Sequence, residues 1–533
     1  MLERNAIIEQ RIKKIRELRE RGINPFVNRF VPSHKSSEIL KFADDFIKEE
    51  REVVVAGRVL TIRSFGKASF FHLQDGEGKI QIYIKQGITS PESADFLKKW
   101  VDTGDFVGIK GIVFRTKTGE VTVAGKELTL LTKSIKPLPE KWHGLRDTEI
   151  RYRCRYLDLI VNDSVKKTFE TRSRIISSIR RFLDAKGYLE VETPMMHSIY
   201  GGANARPFIT YHNALNMNLY LRIAPELYLK RLTIGGFDKV YEINRNFRNE
   251  GISTVHNPEF TMLELYTAYW DYTDTMELVE EMIKNVAKEV LGSYKFQFQG
   301  ETIDLEPEWK RITMLDSIKE ITGVDFKWSD SIEEVRRKAR DIQNLQEPSA
   351  PIKSPEEMIY FIFENIVEPT LIQPTFIKEF PKSLSPLSKV KEGDPLVAER
   401  FETFIGHLEI GNAYSELNDP EDQYERFLEQ MKKFEAGDTQ AGMMDEDYVM
   451  ALEQGMPPTS GLGIGIDRLV MLFTNSSSIR DVILFPLMRQ RTQQELEEEM
   501  KQISSLSEVS PEDITTSPNI SQNHQRDKEK SEK

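Results

Sequence analysis

Two stretches far apart in the chain carry side chains suited to phosphate chemistry. One is Phe247-Arg248-Asn249-Glu250-Gly251, followed nine residues after the glycine by Phe260; the other is Gly461-Leu462-Gly463-Ile464-Gly465-Ile466-Asp467-Arg468. Arg248 presents a fork of donors that matches a phosphate or a carboxylate bidentately, Phe260 offers a face for a planar base, and Arg468 can neutralise terminal phosphates. Together they suit a bent ATP. The glycine run invites a dinucleotide-binding reading, but the G-x-G-x-x-G spacing is absent and Asp467-Arg468 opens the apolar helical stretch Leu469-Val470-Met471-Leu472-Phe473. The glycines instead read as positions where backbone approaches a nucleotide closely, with Arg468 delivered at a helix start. Glu402 and Glu409 lie seven apart on a stretch that reads as strand, turn, strand. Their hard carboxylate oxygens suit a metal ion or a solvated surface equally well.

The elements that must position these groups follow from pattern. At 533 residues and 39% hydrophobic, the chain is long enough for roughly three or four domains. From 51 to 136 it runs in short alternating segments such as Lys79-Ile80-Gln81-Ile82-Tyr83-Ile84-Lys85, broken by Asp75-Gly76-Glu77-Gly78 and Lys117-Thr118-Gly119. Period-two alternation with glycine turns predicts a small antiparallel β domain; five strands fit an OB-fold barrel, and a generic small barrel fits the pattern as well. A proline-bearing linker, 137–150, precedes a large α+β region, 151–490, that includes Lys239-Val240-Tyr241-Glu242-Ile243 and Val482-Ile483-Leu484-Phe485 as apolar strands and a helical insertion at about 310–370. Residues 1–50 form a basic helical segment: six Lys/Arg between Arg11 and Arg21 interleave with Ile8, Ile12, Ile15 and Leu18. That face either docks a helix or contacts nucleic acid. The tail, 491–533, has no aromatic residue and reads as disordered after a short helix near Leu496 to Ile503.

Composition excludes several classes. With 73 Lys+Arg against 85 Asp+Glu the net charge is −12, which argues against a protein that coats DNA or RNA indiscriminately. No apolar run approaches the ~20 residues of a membrane span, and Met1 to Glu9 lacks a signal-peptide core, so a cytoplasmic address is expected. One cysteine, Cys154, excludes intrachain disulfides and cysteine-based zinc clusters, and the eight histidines show no H-E-x-x-H spacing.

The pair Phe247–Gly251 and Gly461–Arg468 resembles motifs 2 and 3 of class II aminoacyl-tRNA synthetases. Gly187-Tyr188-Leu189-Glu190-Val191-Glu192-Thr193-Pro194 resembles motif 1, which in that family forms the dimer interface. Ala224-Pro225-Glu226-Leu227-Tyr228, Glu264-Leu265-Tyr266 and Gly411-Asn412-Ala413-Tyr414-Ser415-Glu416 would add three carboxylates and two phenols to one site, a demand of a substrate with two ammonium groups. From about 50 to 490 these strings are similar to the bacterial type of class II lysyl-tRNA synthetases. The resemblance implies an OB-fold barrel that reads the anticodon, followed by an antiparallel-sheet catalytic domain with flanking helices.

By the same resemblance, Gly202 and Glu226 hold the α-ammonium of L-lysine, Glu264, Tyr266, Asn412 and Glu416 surround its side-chain ammonium, and Arg248 takes the carboxylate. Tyr414 stands where the family often has phenylalanine. Glu250, His256, Asn257, Phe260, Gly463, Gly465 and Arg468 line the ATP site, and Glu402 and Glu409 bind Mg²⁺, several ions of which accompany ATP. Phe70, Gln81 and Glu120 contact the tRNA(Lys) anticodon. Since Phe71 adjoins Phe70 and points the opposite way, one of the two belongs to the core. The implied product is lysyl-tRNA, made by a homodimer through lysyl-adenylate. Aspartyl and asparaginyl enzymes share the barrel and motifs, but aspartyl enzymes place arginine where Glu416 stands. A paralogue that lysylates a translation factor lacks the barrel. A nucleic-acid-binding protein with a dead synthetase core would have no need of Arg248, Phe260, Glu402, Glu409 and Arg468 together.

Overall fold

The computed structural model describes residues 6–138, 145, 147–348, 351–435, 442–492 and 495. The helix expected near Leu496 to Ile503 and the tail beyond it lie outside the described residues. Contacts divide the chain into an N-terminal unit and a second unit, Asp147–Arg489.

The N-terminal unit opens with α1 (Ala6–Glu20) and closes β1 (Glu52–Phe65), β2 (Ala68–Gln74), β3 (Lys79–Lys85), β4 (Phe106–Arg115) and β5 (Val121–Thr132) into a barrel of order β1-β2-β3-β5-β4, with α2 (Pro91–Trp100) between β3 and β4. All pairs are antiparallel except β3 with β5. Alternation decides the faces: Ile80, Ile82 and Ile84 fill the interior while Gln81 and Tyr83 face outward. The β2–β3 turn is held by Asp75, whose carboxylate accepts from Glu77 and Gly78 N–H at 2.8 Å each. Gly111 marks a register shift in β4, and a Cβ there would lie 2.1 Å from Ala124 O, so closure of the barrel at this bulge needs glycine.

The basic helix α1 differs from its expected amphipathic face. Ile8, Ile15 and Leu18 are buried but Ile12 is only half-buried, and Arg11 is buried instead. Its guanidinium donates to Thr103 O at 2.9 Å and Ser134 O at 3.1 Å, and Lys14 pairs with Asp102 at 2.7 Å. Two of the six basic residues therefore fasten α1 to the barrel, where buried carbonyls and a carboxylate need donors.

In the second unit α3 (Asp163–Ala185) leads to β6 (Leu189–Glu190), and α4 (Glu226–Ile234) precedes β7 (Lys239–Phe247), β8 (Glu259–Ala268) and α5 (Tyr272–Leu291). Then come β9 (Lys310–Thr313), β10 (Thr375–Lys378), β11 (Arg400–Ile405), β12 (Leu408–Ser415), β13 (Thr459–Gly465) and α6 (Ile466–Thr474). The strands form one sheet of order β9-β10-β11-β12-β13-β8-β7-β6, antiparallel except at its two edges, where β9–β10 and β7–β6 are parallel. Helices α3, α5 and α6 cover one face over Leu263, Leu265, Ala413, Leu462 and Ile464. The intervening residues of the same strands are left for the other face.

Three expectations are corrected. The helix Thr148–Arg153, capped by the Asp147 carboxylate accepting from Ile150 N–H at 2.9 Å, starts inside the region read as linker 137–150. The insertion read from about 310 begins with a sheet strand, β9, and turns helical only at Met314, through helices Met314–Thr322, Ile332–Ala339 and Pro355–Ile362. Val482-Ile483-Leu484-Phe485 is not a strand: a short helix, Ile479–Val482, ends there, and the carbonyls of Val482, Ile483 and Leu484 accept from the guanidinium groups of Arg172 and Arg155 instead of from a neighbouring strand. Among the described residues no helix is long and apolar enough to cross a membrane.

The barrel also separates its two adjacent phenylalanines, with Phe71 1% exposed inside and Phe70 stacked outside on Tyr83, ring centroids 4.6 Å apart. Phe71→Ala is expected to destabilise the protein in urea denaturation by about 3–5 kcal/mol, and Phe70→Ala by only about 1 kcal/mol.

Candidate active site

The open face of the second sheet carries two rows of functional side chains in register. Glu264 on β8 lies opposite Gly463 on β13, Gly463 opposite Asn412 on β12, and Asn412 opposite Glu402 on β11. One step along, Tyr266, Gly461, Tyr414 and Arg400 form the second row. The glycines keep the middle strand low. A Cβ on Gly461 would sit 2.0 Å from Glu416 Oε1 and 2.6 Å from the Tyr266 ring, so this glycine makes room for side chains and not, as its sequence context suggested, for a nucleotide.

Two adjoining cavities open on this face. The first, about 260 Å³, brings together Gly202, Glu226, Arg248, Glu264, Tyr266, Asn412, Tyr414 and Glu416. The second, about 300 Å³, brings together Arg248, Glu250, His256, Asn257, Phe260, Glu409, Gly463, Gly465 and Arg468. Arg248, Asn412 and Gly463 line both, which places the Arg248 fork where the two meet. Glu402 lines neither; it is buried at the end of its row.

The first cavity is rich in buried carboxyl groups. Glu226, Glu264 and Glu416 are all buried, and Lys230, 0% exposed and one turn after Glu226 on α4, pairs with Glu226 at 2.6 Å and with Glu416. Tyr414 Oη donates to Glu226 Oε1 at 2.7 Å. Glu416 Oε2 meets the Lys230 ammonium, while Glu416 Oε1 and Arg248 Nε are buried without a hydrogen-bond partner. Burial, reinforced by the Glu226 charge, pushes the Glu264 carboxyl up to about 8 against the pull of Arg248. Burial likewise lifts Glu416 well above the carboxylate range although Lys230 opposes it, and lifts Tyr266 and Tyr414 so that both remain protonated donors. Gly202 adopts φ +87, and an added Cβ would press on Glu226 Cβ at 3.1 Å.

On the nucleotide-like side, Asp467 fastens the start of α6 by accepting from Arg172 at 2.6 Å and from Thr261 N–H at 2.7 Å. The next residue, Arg468, is thereby aimed across the cavity. Its guanidinium donates to Glu409 Oε2 at 2.8 Å and meets His256 Nε2 at 3.2 Å, while His256 Nδ1 meets Ser253 Oγ at 2.9 Å. Partial burial and the Arg468 cation lower His256, so the ring stays neutral and can accept at Nε2. The Arg248 guanidinium lies 5.0 Å from the Phe260 ring centroid. Burial acts to raise Glu409, but Arg468 overrides it and leaves Glu409 low; Glu402, held by Arg400 at 2.7 Å, is pushed up to about 8 by burial and by the Glu409 charge. Among the described residues no group of three or more His, Cys, Asp or Glu side chains forms a metal-binding cluster.

On the separate barrel, Gln81 Nε2 donates to Glu120 Oε2 at 2.7 Å, Thr122 Oγ1 donates to Gln81 Oε1 at 2.8 Å, and His72 Nε2 lies 3.3 Å from Glu120 Oε1. With the Phe70–Tyr83 stack this makes an outward face of aromatic rings and amide and carboxylate groups, the chemistry that holds an unstacked base.

Lys230 and Arg400 were missed in the sequence. Glu226 and Lys230 at i and i+4 on a helix gave a signal for the first; for Arg400 the local signal was Glu402 two residues on, on the same face of one strand, while its other partners Asn412 Oδ1 (3.1 Å) and Ser385 Oγ (3.0 Å) lie on other segments.

A family model described as class II tRNA synthetases (D, K and N) matches residues 147–489, and one described as an OB-fold nucleic acid binding domain matches residues 53–137. The chain is 58% identical over 488 residues to a lysine--tRNA ligase of Pelotomaculum thermopropionicum, covering 91% of this chain and 96% of that protein. It is 55% identical to the lysine--tRNA ligase of Carboxydothermus hydrogenoformans, covering 92% and 99%, and 54% identical to that of Bacillus subtilis, covering 92% and 98%.

The raised carboxyls set a pH dependence. Between 4.5 and about 8 the folded protein keeps a proton on Glu264 that the unfolded chain has lost, so this contribution to stability is full below 4.5 and declines as pH rises through about 8. Thermal denaturation of the ligand-free protein is expected to show a falling midpoint over that range, and Glu264→Gln to flatten the fall.

Proposed function

The chain belongs to the class II tRNA synthetases of the D, K and N group, and on that premise we propose that it acts as a lysine--tRNA ligase, activating L-lysine with ATP and transferring it to the 3′ end of tRNA(Lys). It is an ATP-dependent aminoacyl-tRNA ligase with an OB-fold nucleic-acid-binding domain. The observation that carries the choice of lysine is the convergence of Glu226, Glu264 and Glu416 in one cavity that ends at Arg248. Three buried carboxylates favour a substrate with two ammonium groups and oppose an acidic one.

Lysine would lie with its α-ammonium at Glu226 and Gly202, its side-chain ammonium among Glu264, Tyr266, Asn412 and Glu416, and its carboxylate on Arg248. The unpartnered Oε1 of Glu416 and Nε of Arg248 are the groups such a substrate would satisfy. ATP would occupy the second cavity, adenine on Phe260, phosphates toward Arg248 and Arg468. A lysine carboxylate oxygen attacks the α-phosphorus as the bond to pyrophosphate breaks. The terminal ribose hydroxyl of the tRNA then attacks the lysyl carbonyl and AMP leaves. No side chain becomes covalently attached. The chain's residues position the reactants and neutralise the charge that grows on phosphate oxygens.

Glu409, which lines the second cavity, would hold Mg²⁺ together with Glu402 on the facing strand. Two carboxylates on facing strands, crowded enough to raise Glu402, offer hard oxygens, and Mg²⁺ typically takes one or two carboxylates and completes its shell with substrate phosphates and water. The ion would supply charge neutralisation of the phosphates. The outward barrel face with Phe70, Gln81 and Glu120 suits an anticodon base. A homodimer is supported by exposed apolar side chains at Leu189 on β6 and at Met195 and Met196 a few residues after it. A cytoplasmic address accords with this role in translation.

Amino-acid-dependent ATP–pyrophosphate exchange with all twenty amino acids tests the reading. Exchange with lysine alone is expected; exchange with aspartate or asparagine, or none, would overturn it. Arg248→Ala is expected to lower the exchange rate constant at saturating lysine and ATP by about 10²–10³-fold, and Glu409→Gln to raise the Mg²⁺ concentration required.

A further inference from the structure

Lys230 lines neither cavity. Its side chain is wholly buried on α4, and Nζ contacts Glu226 and Glu416, two of the three carboxylates that line the amino-acid cavity. The Tyr414 ring, whose hydroxyl donates to Glu226, lies 5.6 Å from the same ammonium. The remaining cations nearby are matched: Arg222 pairs with Glu242 at 2.7 Å, Arg231 with Asp445 at 2.8 Å and Arg400 with Glu402 at 2.7 Å. Tyr266, Tyr414 and Tyr448 hold their protons. Lys230 is thus the cation that stands against two of the three carboxyl groups, while Arg248 lies where the two cavities meet.

We propose that Lys230 is a positioning and specificity-determining residue, an internal counter-ion that bridges Glu226 and Glu416 and holds the two groups in place to receive the two ammonium groups of one dibasic amino acid. This rests on the reading of the cavity as the lysine site. Without the ammonium, two carboxylates brought together in a dry pocket would share a proton. An acceptor needed for each substrate ammonium would then be occupied.

The test is Lys230→Met in the full chain, assayed by ATP–pyrophosphate exchange beside the wild type. The KM for lysine is expected to rise about tenfold or more, while the KM for ATP stays within about twofold. The acid limb of kcat/KM for lysine against pH is expected to move to higher pH, because the carboxylates ionise less readily without their counter-ion. Lys230→Arg, which keeps the charge, should leave that limb in place. Lys230→Gln replaces the methionine variant if the latter does not fold, with the same shift expected. An unmoved limb, a parallel rise in both KM values, an equal shift in the arginine variant, or failure of both uncharged variants to fold would overturn the proposal and leave Lys230 a stabilising ion pair. A wild type that does not use lysine would contradict the functional reading instead.

Discussion

Three carboxylates buried around one small cavity form the constraint on which the rest of the second unit depends. Isolated in a low-dielectric interior, each would protonate before it stayed charged, since desolvation of an anion costs several kcal/mol or more. The protein answers with cations on two sides: Lys230 against Glu226 and Glu416, and Arg248 where the cavity meets its neighbour. The answer is incomplete, because Glu264 still sits at about 8 and Glu416 Oε1 lacks a hydrogen-bond partner. An amino acid with a second ammonium group completes it. Selectivity on this account comes from carboxyl groups left incompletely matched in the fold, with shape in a supporting part.

Strand register turns that constraint into geometry. Because alternate residues of β8 and β12 face opposite ways, the same segments that place Leu263, Leu265 and Ala413 in the core place Glu264, Tyr266, Asn412 and Tyr414 on the reacting face. Glycines in β13 leave the space that their neighbours' side chains fill. A bulge between Thr403 and Phe404 shifts the β11–β12 pairing, so that Glu409 meets Arg468 while Glu402 stays under Arg400. The two carboxylates suited to a metal therefore have different partners and opposite shifts.

Much of this was legible in the sequence, and the reasons differ by residue. Arg248, Phe260 and Arg468 stood out because short-range spacing and residue type were enough, and the barrel strands showed in their alternation of isoleucine with polar residues. Lys230 did not stand out, because one of its two partners, Glu416, is far along the chain and only the fold brings it near. Val482-Ile483-Leu484-Phe485 has the composition of a strand, yet its carbonyls are claimed by Arg155 and Arg172, a choice made by tertiary structure. Arg11 interrupts an apolar helical face for the same kind of reason, since carbonyls at Thr103 and Ser134 need a donor there.

Titration calorimetry of lysine binding near pH 7.5, repeated in buffers of different ionisation enthalpy, counts the protons exchanged on binding and so tests the charge account most directly. A carboxyl held at about 8 is partly protonated there, and an arriving ammonium group must drive that proton off. The account predicts net proton release with lysine and little with norleucine, which has the same chain without the second ammonium. Equal proton exchange with the two ligands, or uptake with lysine, would contradict it.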